Sequence, residues 1–171
     1  ADNQAETRQR IAEAAVALHG EVGPNATTVS LIAERAGVQR HTVYAHYTDE
    51  KSLFMACSAL HLEQQPPPDP SQWANISDPG DRLTAALTAL YQWFARNQSV
   101  VGNVLRDAEI NEPLREVSGL RFGPVFGAIF ESVSNGLDAN ARAVLHLALS
   151  FYTWRTLVRE AGLSAGNAAV L

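Results

Sequence analysis

Six polar side chains follow a single glycine within ten residues of this sequence, where residues 37–46 read GVQRHTVYAH. They carry amide, guanidinium, imidazole, hydroxyl and phenol groups, at Gln39, Arg40, His41, Thr42, Tyr44 and His46. Such groups hydrogen-bond to the base edges and phosphates of DNA, and a guanidinium can hold O6 and N7 of one guanine together. The stretch therefore contains the chemistry needed for recognition of duplex DNA.

Two short helices must position these groups. The segment VSLIAERA predicts one helix before Gly37, and a second is predicted from Val38 to about Tyr47. Helices this short are unstable alone and must pack on neighbours. Five apolar residues share one register and supply that packing: Ile32, Ala33, Ala36, Val38 and Val43. Gly37 allows the left-handed backbone of a tight turn. If the apolar residues face inward, the polar side chains are left on the outer surface.

A pair of short helices with a merely solvated polar face is the alternative interpretation. Such pairs are common in helical proteins, and Arg40 would then be an ordinary surface cation. The small Ala33 at a close helix crossing, Gly37 in the turn and the shared apolar register favour a helix-turn-helix that binds DNA.

The stretch TTVSLIAERAGVQRHTVYAHYTDEKSLF, residues 27–54, resembles the DNA-binding signature of TetR-type transcriptional repressors. The resemblance covers roughly residues 8–55. The resemblance implies an all-helical homodimer with an N-terminal three-helix DNA-binding domain. It also implies a C-terminal helical domain that binds a small effector and dimerises.

The resemblance assigns a role to each polar residue. Gln39, Arg40 and His41 would face the major groove. Thr28 and His46 would contact phosphate. Thr42 would bond to a phosphate or a base, and Tyr44 would contact a phosphate or a thymine methyl. Thr28 would also cap the helix before the turn, and Tyr47 would pack in the small core.

One position departs from the family pattern. Where the family usually has a lysine, this sequence has Glu50, so the neighbouring Lys51 is only a displaced candidate for a phosphate contact. Residues 1–55 hold five Lys or Arg against seven Asp or Glu. Because nonspecific affinity depends on neutralised phosphates, we expect it to be modest.

The rest of the chain has helical periodicity and no strand-like alternation, so the predicted fold class is all-α. The proline-rich stretch PPPDP is the clearest boundary. We expect a DNA-binding domain over residues 1–48, a connecting helix over 49–65 and an effector-binding and dimerisation domain over 66–171. Asp49, Asp78 and Asp138 are predicted helix caps. We also expect a separate segment over residues 99–110 and a helix break near Gly123-Pro124. Asp138 is expected to open one long helix that Gly162 closes.

Composition restricts the function further. The formal net charge of -5 provides no global basic field, so DNA binding must use a local surface. The single Cys57 excludes an intramolecular disulfide and suggests a buried core residue. A polar, acid-containing start and the lack of a long apolar run predict a cytoplasmic protein.

The last helix is apolar on most of its circumference, which predicts burial on several sides. Together with the helix ending in VFGAIFESV it would form a four-helix contact in a homodimer. A central position in a monomeric bundle is the alternative. Five aromatic residues are candidates for an effector cavity, although ordinary core packing is also open for each: Tyr91, Phe94, Phe126, Phe130 and Tyr152. Candidate polar anchors are Arg106, Arg121, His146 and Arg155.

The histidines at 19, 41, 46, 61 and 146 form no metal-ligand spacing, and no phosphate-binding loop or nucleophile motif occurs. We therefore expect no enzyme activity, cofactor or metal. The sequence predicts a repressor that binds a near-palindromic operator as a homodimer and is released by an apolar or aromatic effector. The alternatives are an activator of the same fold and a helical interaction module without DNA binding.

Overall fold

The computed structural model describes residues 2–171, with side chains from residue 3 onward. This part of the chain folds into helices and has no strand, which confirms the all-α prediction. The helices are α1 (Asp2–Glu21), α2 (Val29–Ala36), α3 (Arg40–His46), α4 (Glu50–Gln64), α5 (Pro79–Ala108), α6 (Glu112–Ser134), α7 (Ala139–Ala148), α8 (Phe151–Trp154) and α9 (Ala165–Ala169). Short 3₁₀ turns precede α2 and α5, at Pro24–Ala26 and Pro70–Gln72.

The chain divides into two compact units. The N-terminal unit contains the chain up to Pro66 together with residues 99–122, and the C-terminal unit contains residues 67–98 and 123–171. The expected functional domains, 1–48, 49–65 and 66–171, divide the chain differently. The expected domains were assigned by function and remain a prediction, whereas the compact units are defined by how the chain packs.

Four helices begin at residues that the sequence identifies as caps. In each case a side-chain oxygen accepts a hydrogen bond from the backbone N–H three residues later, at 2.7 to 3.2 Å. These residues are Thr28, Asp49, Asp78 and Asp138. Asp49 also forms a reciprocal pair with Ser52, whose hydroxyl oxygen accepts from the Asp49 N–H. Local side-chain bonds of this kind satisfy N–H groups that have no partner inside the helix.

The central helices are longer than predicted. Residues 99–108 are not a separate segment but the second part of α5. One isolated Gly102 costs a helix only about 1 kcal/mol, which neighbouring residues readily offset. The expected break at Gly123-Pro124 is also wrong, because α6 continues through Pro124. Pro124 removes the N–H that would bond to the carbonyl of Leu120, and Leu120 is exposed, so water can bond to that carbonyl instead.

The last long helix is shorter than predicted. It ends as α7 at Ala148, and α8 begins two residues after Leu149, with Ser150 as its cap. The Ser150 hydroxyl oxygen accepts from the N–H of Tyr152, and the hydroxyl of Thr153 donates to the carbonyl of Leu147 at 2.6 Å. These side chains give the backbone an alternative to helical bonding. Residues 155–160 then form a wider π-helical turn before Gly162.

A left-handed glycine forms the turn between α2 and α3. Gly37 has φ 66° and ψ 39°. The N–H of Val38 donates to the carbonyl of Ala33 at 2.9 Å, which ends α2 and directs the chain toward α3. A Cβ added at Gly37 would have no atom within 4 Å, so only the backbone conformation requires glycine here.

We expect Gly37→Ala to reduce the free energy of unfolding by about 1–2 kcal/mol, because an L-residue is strained in the left-handed region. Gly119→Ala is the matched control. Its added Cβ also meets nothing within 4 Å, but Gly119 lies inside α6, where alanine favours the helix by about 1 kcal/mol. Urea unfolding of both variants measures the difference, and equal effects would contradict a conformational role for Gly37.

Candidate nucleic-acid interface

A small apolar core lies beneath α2 and α3. Ile11 of α1, Ile32 of α2 and Val43 of α3 are at most 1% exposed and belong to one buried cluster. Cys57 of α4 joins this cluster, as the sequence predicts, and burial raises the pKa of its thiol to about 12. The cluster holds α3 on its apolar side, so its other side is available to solvent.

The outer surface of α3 carries the predicted polar groups. Gln39, Arg40, His41 and Tyr44 are exposed, with Tyr44 at 50%, whereas Thr42 and His46 are half-buried. Within residues 2–171, no hydrogen bond or ion pair engages the side chains of the four exposed residues. We call this surface, residues 39–42, 44 and 46, the α3 face. It presents donors, acceptors and one guanidinium that are free to bond to another molecule.

The C-terminal end of α3 is fixed by Arg8, a residue whose role the sequence analysis missed. Its Nη1 donates to the carbonyl of His46 at 3.1 Å, and its guanidinium lies 4.7 Å from the centre of the Tyr47 ring. Tyr47 is buried, as expected, and its hydroxyl donates to the carbonyl of Arg8 at 3.0 Å. A cation at a helix C-terminus is favourable. In the sequence, the only indication of this role is that Arg8 lies beside the apolar residues of α1.

Two further cations near this surface already have partners. Arg35 forms two bonds with Glu21, at 2.7 and 2.8 Å. Lys51, the displaced phosphate candidate, has its Nζ 2.6 Å from Oε1 of Glu116. Both pairs are exposed, and exposed ion pairs are weak enough to exchange partners. Arg40 is therefore the cation of the α3 face that needs no exchange before binding.

A group of polar residues in the second part of α5 holds the turn before α2. Asp107, only 5% exposed, accepts from the N–H of Asn25 at 2.9 Å and from Nε of Arg106 at 2.7 Å. Asn103 donates from Nδ2 to the carbonyls of His19 and Gly20 at the end of α1. Burial raises the pKa of Asp107, but the bonds from Arg106 and Asn25 outweigh it and leave this pKa below its ordinary value. We call Asn25, Asn103, Arg106 and Asp107 the polar clamp.

The expected effector residues lie in the C-terminal unit, and most are inside it. Phe94 is 1% exposed and contacts the rings of Phe126, Phe151 and Trp154, with centroids 5.4 to 6.2 Å apart. Tyr91 is equally buried, and its hydroxyl donates to the carbonyl of Ala148 at 2.7 Å.

The other members are more varied. Phe126 is half-buried, and Phe130, 7% exposed, stacks on His146 with ring centroids 4.1 Å apart. Tyr152 is 42% exposed and lies beneath Arg155. The structure thus brings Phe94 together with Tyr91 and Phe126, whereas Phe130 and Tyr152 have different immediate neighbours.

Comparison with known proteins agrees with this geometry. Residues 11–57 match the family model of bacterial regulatory proteins, tetR family. Over residues 11–57 the chain is therefore similar to regulatory proteins of the tetR family. The match spans α1 to α4, including the turn at Gly37 and the α3 face. A comparison with curated protein sequences finds no match.

Solved structures of three bacterial or drug-binding proteins share the fold over nearly the whole chain. NalD of Pseudomonas aeruginosa, the secondary repressor of the MexAB-OprM multidrug efflux pump, is 24% identical with a TM-score of 0.66, covering 99% of this chain and 92% of that chain. A TetR-family structure from Rhodococcus sp. is 22% identical with a TM-score of 0.67, covering 96% and 93%. The multidrug binding protein EbrR, complexed with imidazole, is 20% identical with a TM-score of 0.64, covering 96% and 86%. The chain therefore has the fold of TetR-family transcriptional regulators.

Within residues 2–171, no helix is both long enough and apolar enough to cross a bilayer.

A buried histidine lies next to the polar clamp. His19 of α1 is 5% exposed, and its ring centroid is 5.7 Å from that of Phe54. Burial lowers the pKa of His19 from 6.5 to about 4, although the charge of Asp107 partly opposes this shift. The folded chain thus keeps His19 neutral over a range in which an unfolded chain protonates it.

We expect His19 to make folding stability pH-dependent. Below pH 6.5 the unfolded chain takes up a proton that the folded chain accepts only near pH 4, so stability falls as pH decreases through this window. Between pH 7.5 and pH 5 the loss is about 2 kcal/mol. Urea unfolding at both pH values should show this loss in the natural chain and in the exposed control His41→Gln. In His19→Gln the fall in stability between the two pH values should be smaller by about 2 kcal/mol, and an unchanged pH dependence in this variant would contradict the assignment.

Proposed function

We propose that this protein is a transcriptional repressor that binds a near-palindromic DNA operator as a homodimer and is released by a small apolar or aromatic effector. The observation that carries the proposal is the α3 face, where the side chains of Gln39, Arg40, His41 and Tyr44 are exposed and uncommitted while the apolar side of α3 is packed in a core. The seven-residue helix α3, held in this way, presents a rigid surface that is narrow enough to enter a major groove.

Arg40 is the proposed reader of sequence, assisted by Gln39 and His41. A guanidinium can bond to O6 and N7 of guanine at the same time, and this pairing discriminates well against other bases. Arg40 lies in the first turn of α3, and the first turn of a recognition helix is the part that enters the groove.

The remaining residues of the proposed interface contact the DNA backbone. Thr28, Thr42, Tyr44 and His46 carry hydroxyl, phenol and imidazole groups that can bond to phosphate oxygens. Thr28 already accepts from the N–H of Leu31, but its hydroxyl hydrogen is free to donate. Lys51 would exchange its exposed pair with Glu116 for a phosphate.

An exposed apolar surface in the C-terminal unit supports the proposed homodimer. In α7, Val144 and Leu147 are 65% and 64% exposed. In α6, small residues are exposed one turn apart: Gly123, Pro124, Gly127 and Ala128. We call these residues the α6–α7 surface. Two neighbouring helices of this kind can pack on their symmetry copies as a four-helix contact, and a dimer would place two α3 faces on successive half-sites.

The proposed effector site remains at Tyr91, Phe94, Phe126, Phe130 and Tyr152. Its support is chemical, because apolar and aromatic ligands bind among aromatic side chains. The buried Nε1 of Trp154, next to Phe94, has no hydrogen-bond partner within the described residues. An effector with an acceptor oxygen could satisfy this donor. Release of DNA then requires that the effector binds one arrangement of the dimer more tightly than the other.

We expect Arg40→Ala to weaken binding to a cognate duplex by about 1–3 kcal/mol and to relax preference at one base pair. Cognate duplexes are first selected from a random pool, and each base pair is then varied in a fluorescence titration. Arg159→Ala, an exposed arginine of the C-terminal unit, is the matched control and should bind as the natural chain does.

Two outcomes of this experiment contradict parts of the proposal. An unchanged base preference for Arg40→Ala would remove Arg40 from sequence readout. If no duplex is enriched and mixed DNA does not bind at low salt, the helical interaction module without DNA binding becomes the better account.

We expect Leu147→Glu to convert the dimer to a monomer, because a carboxylate buried at the centre of an apolar contact lacks a partner. Ile110→Glu is the matched control, since Ile110 is 84% exposed but lies outside the α6–α7 surface. Sedimentation equilibrium measures the mass of each variant. A dimeric Leu147→Glu, or a monomeric natural chain, would contradict the proposed interface.

A further inference from the structure

Lys51 is the first cation after the α3 face, and its ammonium group is occupied by a carboxylate from a distant part of the sequence. It lies in the first turn of α4, which begins four residues after His46. Its Nζ is 2.6 Å from Oε1 of Glu116 in α6, and both residues belong to the N-terminal unit. The two side chains are 47% and 52% exposed, so another molecule can reach either partner.

The acids beside Lys51 in the sequence do not compete with Glu116 for it. The carboxylate of Asp49 accepts from the backbone at the start of α4, at 2.7 Å. Glu50 is adjacent to Lys51, and adjacent residues on a helix do not face each other. The positions one turn later in α4 are apolar. The lysine side chain therefore reaches across to α6, where Glu116 holds it.

We propose that Glu116 competes with DNA phosphate for Lys51 and thereby limits the affinity of this protein for DNA. A carboxylate and a phosphate offer an ammonium group the same kind of partner, an anionic oxygen. Because Glu116 occupies Lys51 in the free chain, a phosphate must either displace the carboxylate or share the ammonium with it. Sharing brings two anions close together, and they repel each other. The inference rests on the proposed function, since it concerns the same DNA-binding surface.

The competition acts on affinity and leaves base preference unchanged. A contact between a lysine and a phosphate carries no sequence information, and Glu116 lies outside the α3 face. An exposed ion pair is weak, so its removal changes affinity only a few-fold. Residues 1–55 contain only five Lys or Arg, and sequence-independent binding depends on how many phosphates such cations neutralise. A change at one of the five is therefore measurable with DNA of any sequence.

We expect Glu116→Gln to raise the affinity for a mixed-sequence duplex at low salt by about two- to fivefold, measured by fluorescence anisotropy of the labelled DNA. Glutamine keeps the size of the side chain and removes its charge. Glu112→Gln is the matched control. Glu112 lies one turn earlier in α6, is also exposed, and forms no ion pair within residues 2–171. The control measures the general effect of removing one negative charge, and its gain should be clearly smaller.

A double-mutant cycle shows whether the gain passes through Lys51. When Lys51→Gln is already present, Glu116→Gln should increase affinity no more than Glu112→Gln does, because no ammonium is left to release. Conversely, Lys51→Gln should weaken DNA binding more in the Glu116→Gln chain than in the natural chain. Circular dichroism of each variant should retain the helical spectrum, since the pair is exposed and lies outside the core.

Two results would overturn this inference alone. They are equal gains for Glu116→Gln and Glu112→Gln, or a gain for Glu116→Gln that persists without Lys51. In both cases the natural chain still binds DNA, and the proposed function stands if Arg40→Ala weakens that binding. If neither the natural chain nor Glu116→Gln binds any duplex at low salt, the proposed function fails and the inference fails with it. Binding that is detected only in Glu116→Gln, and not in Glu112→Gln, would support both.

Discussion

The packing of α3 on its apolar core is the constraint on which the rest of this protein depends. Seven residues cannot form a stable helix alone, so Val43 and Tyr47 must supply the stability through burial. The left-handed Gly37 sets the direction of approach, and Arg8 binds the far end. Since both ends and one side are held, little conformational entropy remains to be lost when the opposite side binds another molecule.

This arrangement is compatible with the proposal that an acidic chain binds DNA. With a net charge of -5 there is no broad attraction to phosphate, and Arg35 and Lys51 are engaged with carboxylates. On the α3 face itself, the uncommitted guanidinium of Arg40 lies within a set of uncharged hydrogen-bonding groups. Such a surface contributes little binding free energy that is independent of sequence. A larger share of its binding free energy therefore depends on base sequence.

Features set by local chemistry could be predicted from the sequence. Thr28 and Asp138 cap helices through bonds to residues three positions away, and Gly37 adopts its backbone conformation for reasons within the turn. The break after α7 was not predictable from periodicity, because the apolar pattern continues across Ser150 while its hydroxyl ends the helix. The bond between Asn25 and Asp107 spans 82 positions, and no local pattern indicates it. The α3 face could be identified because its polar residues lie close together in the sequence.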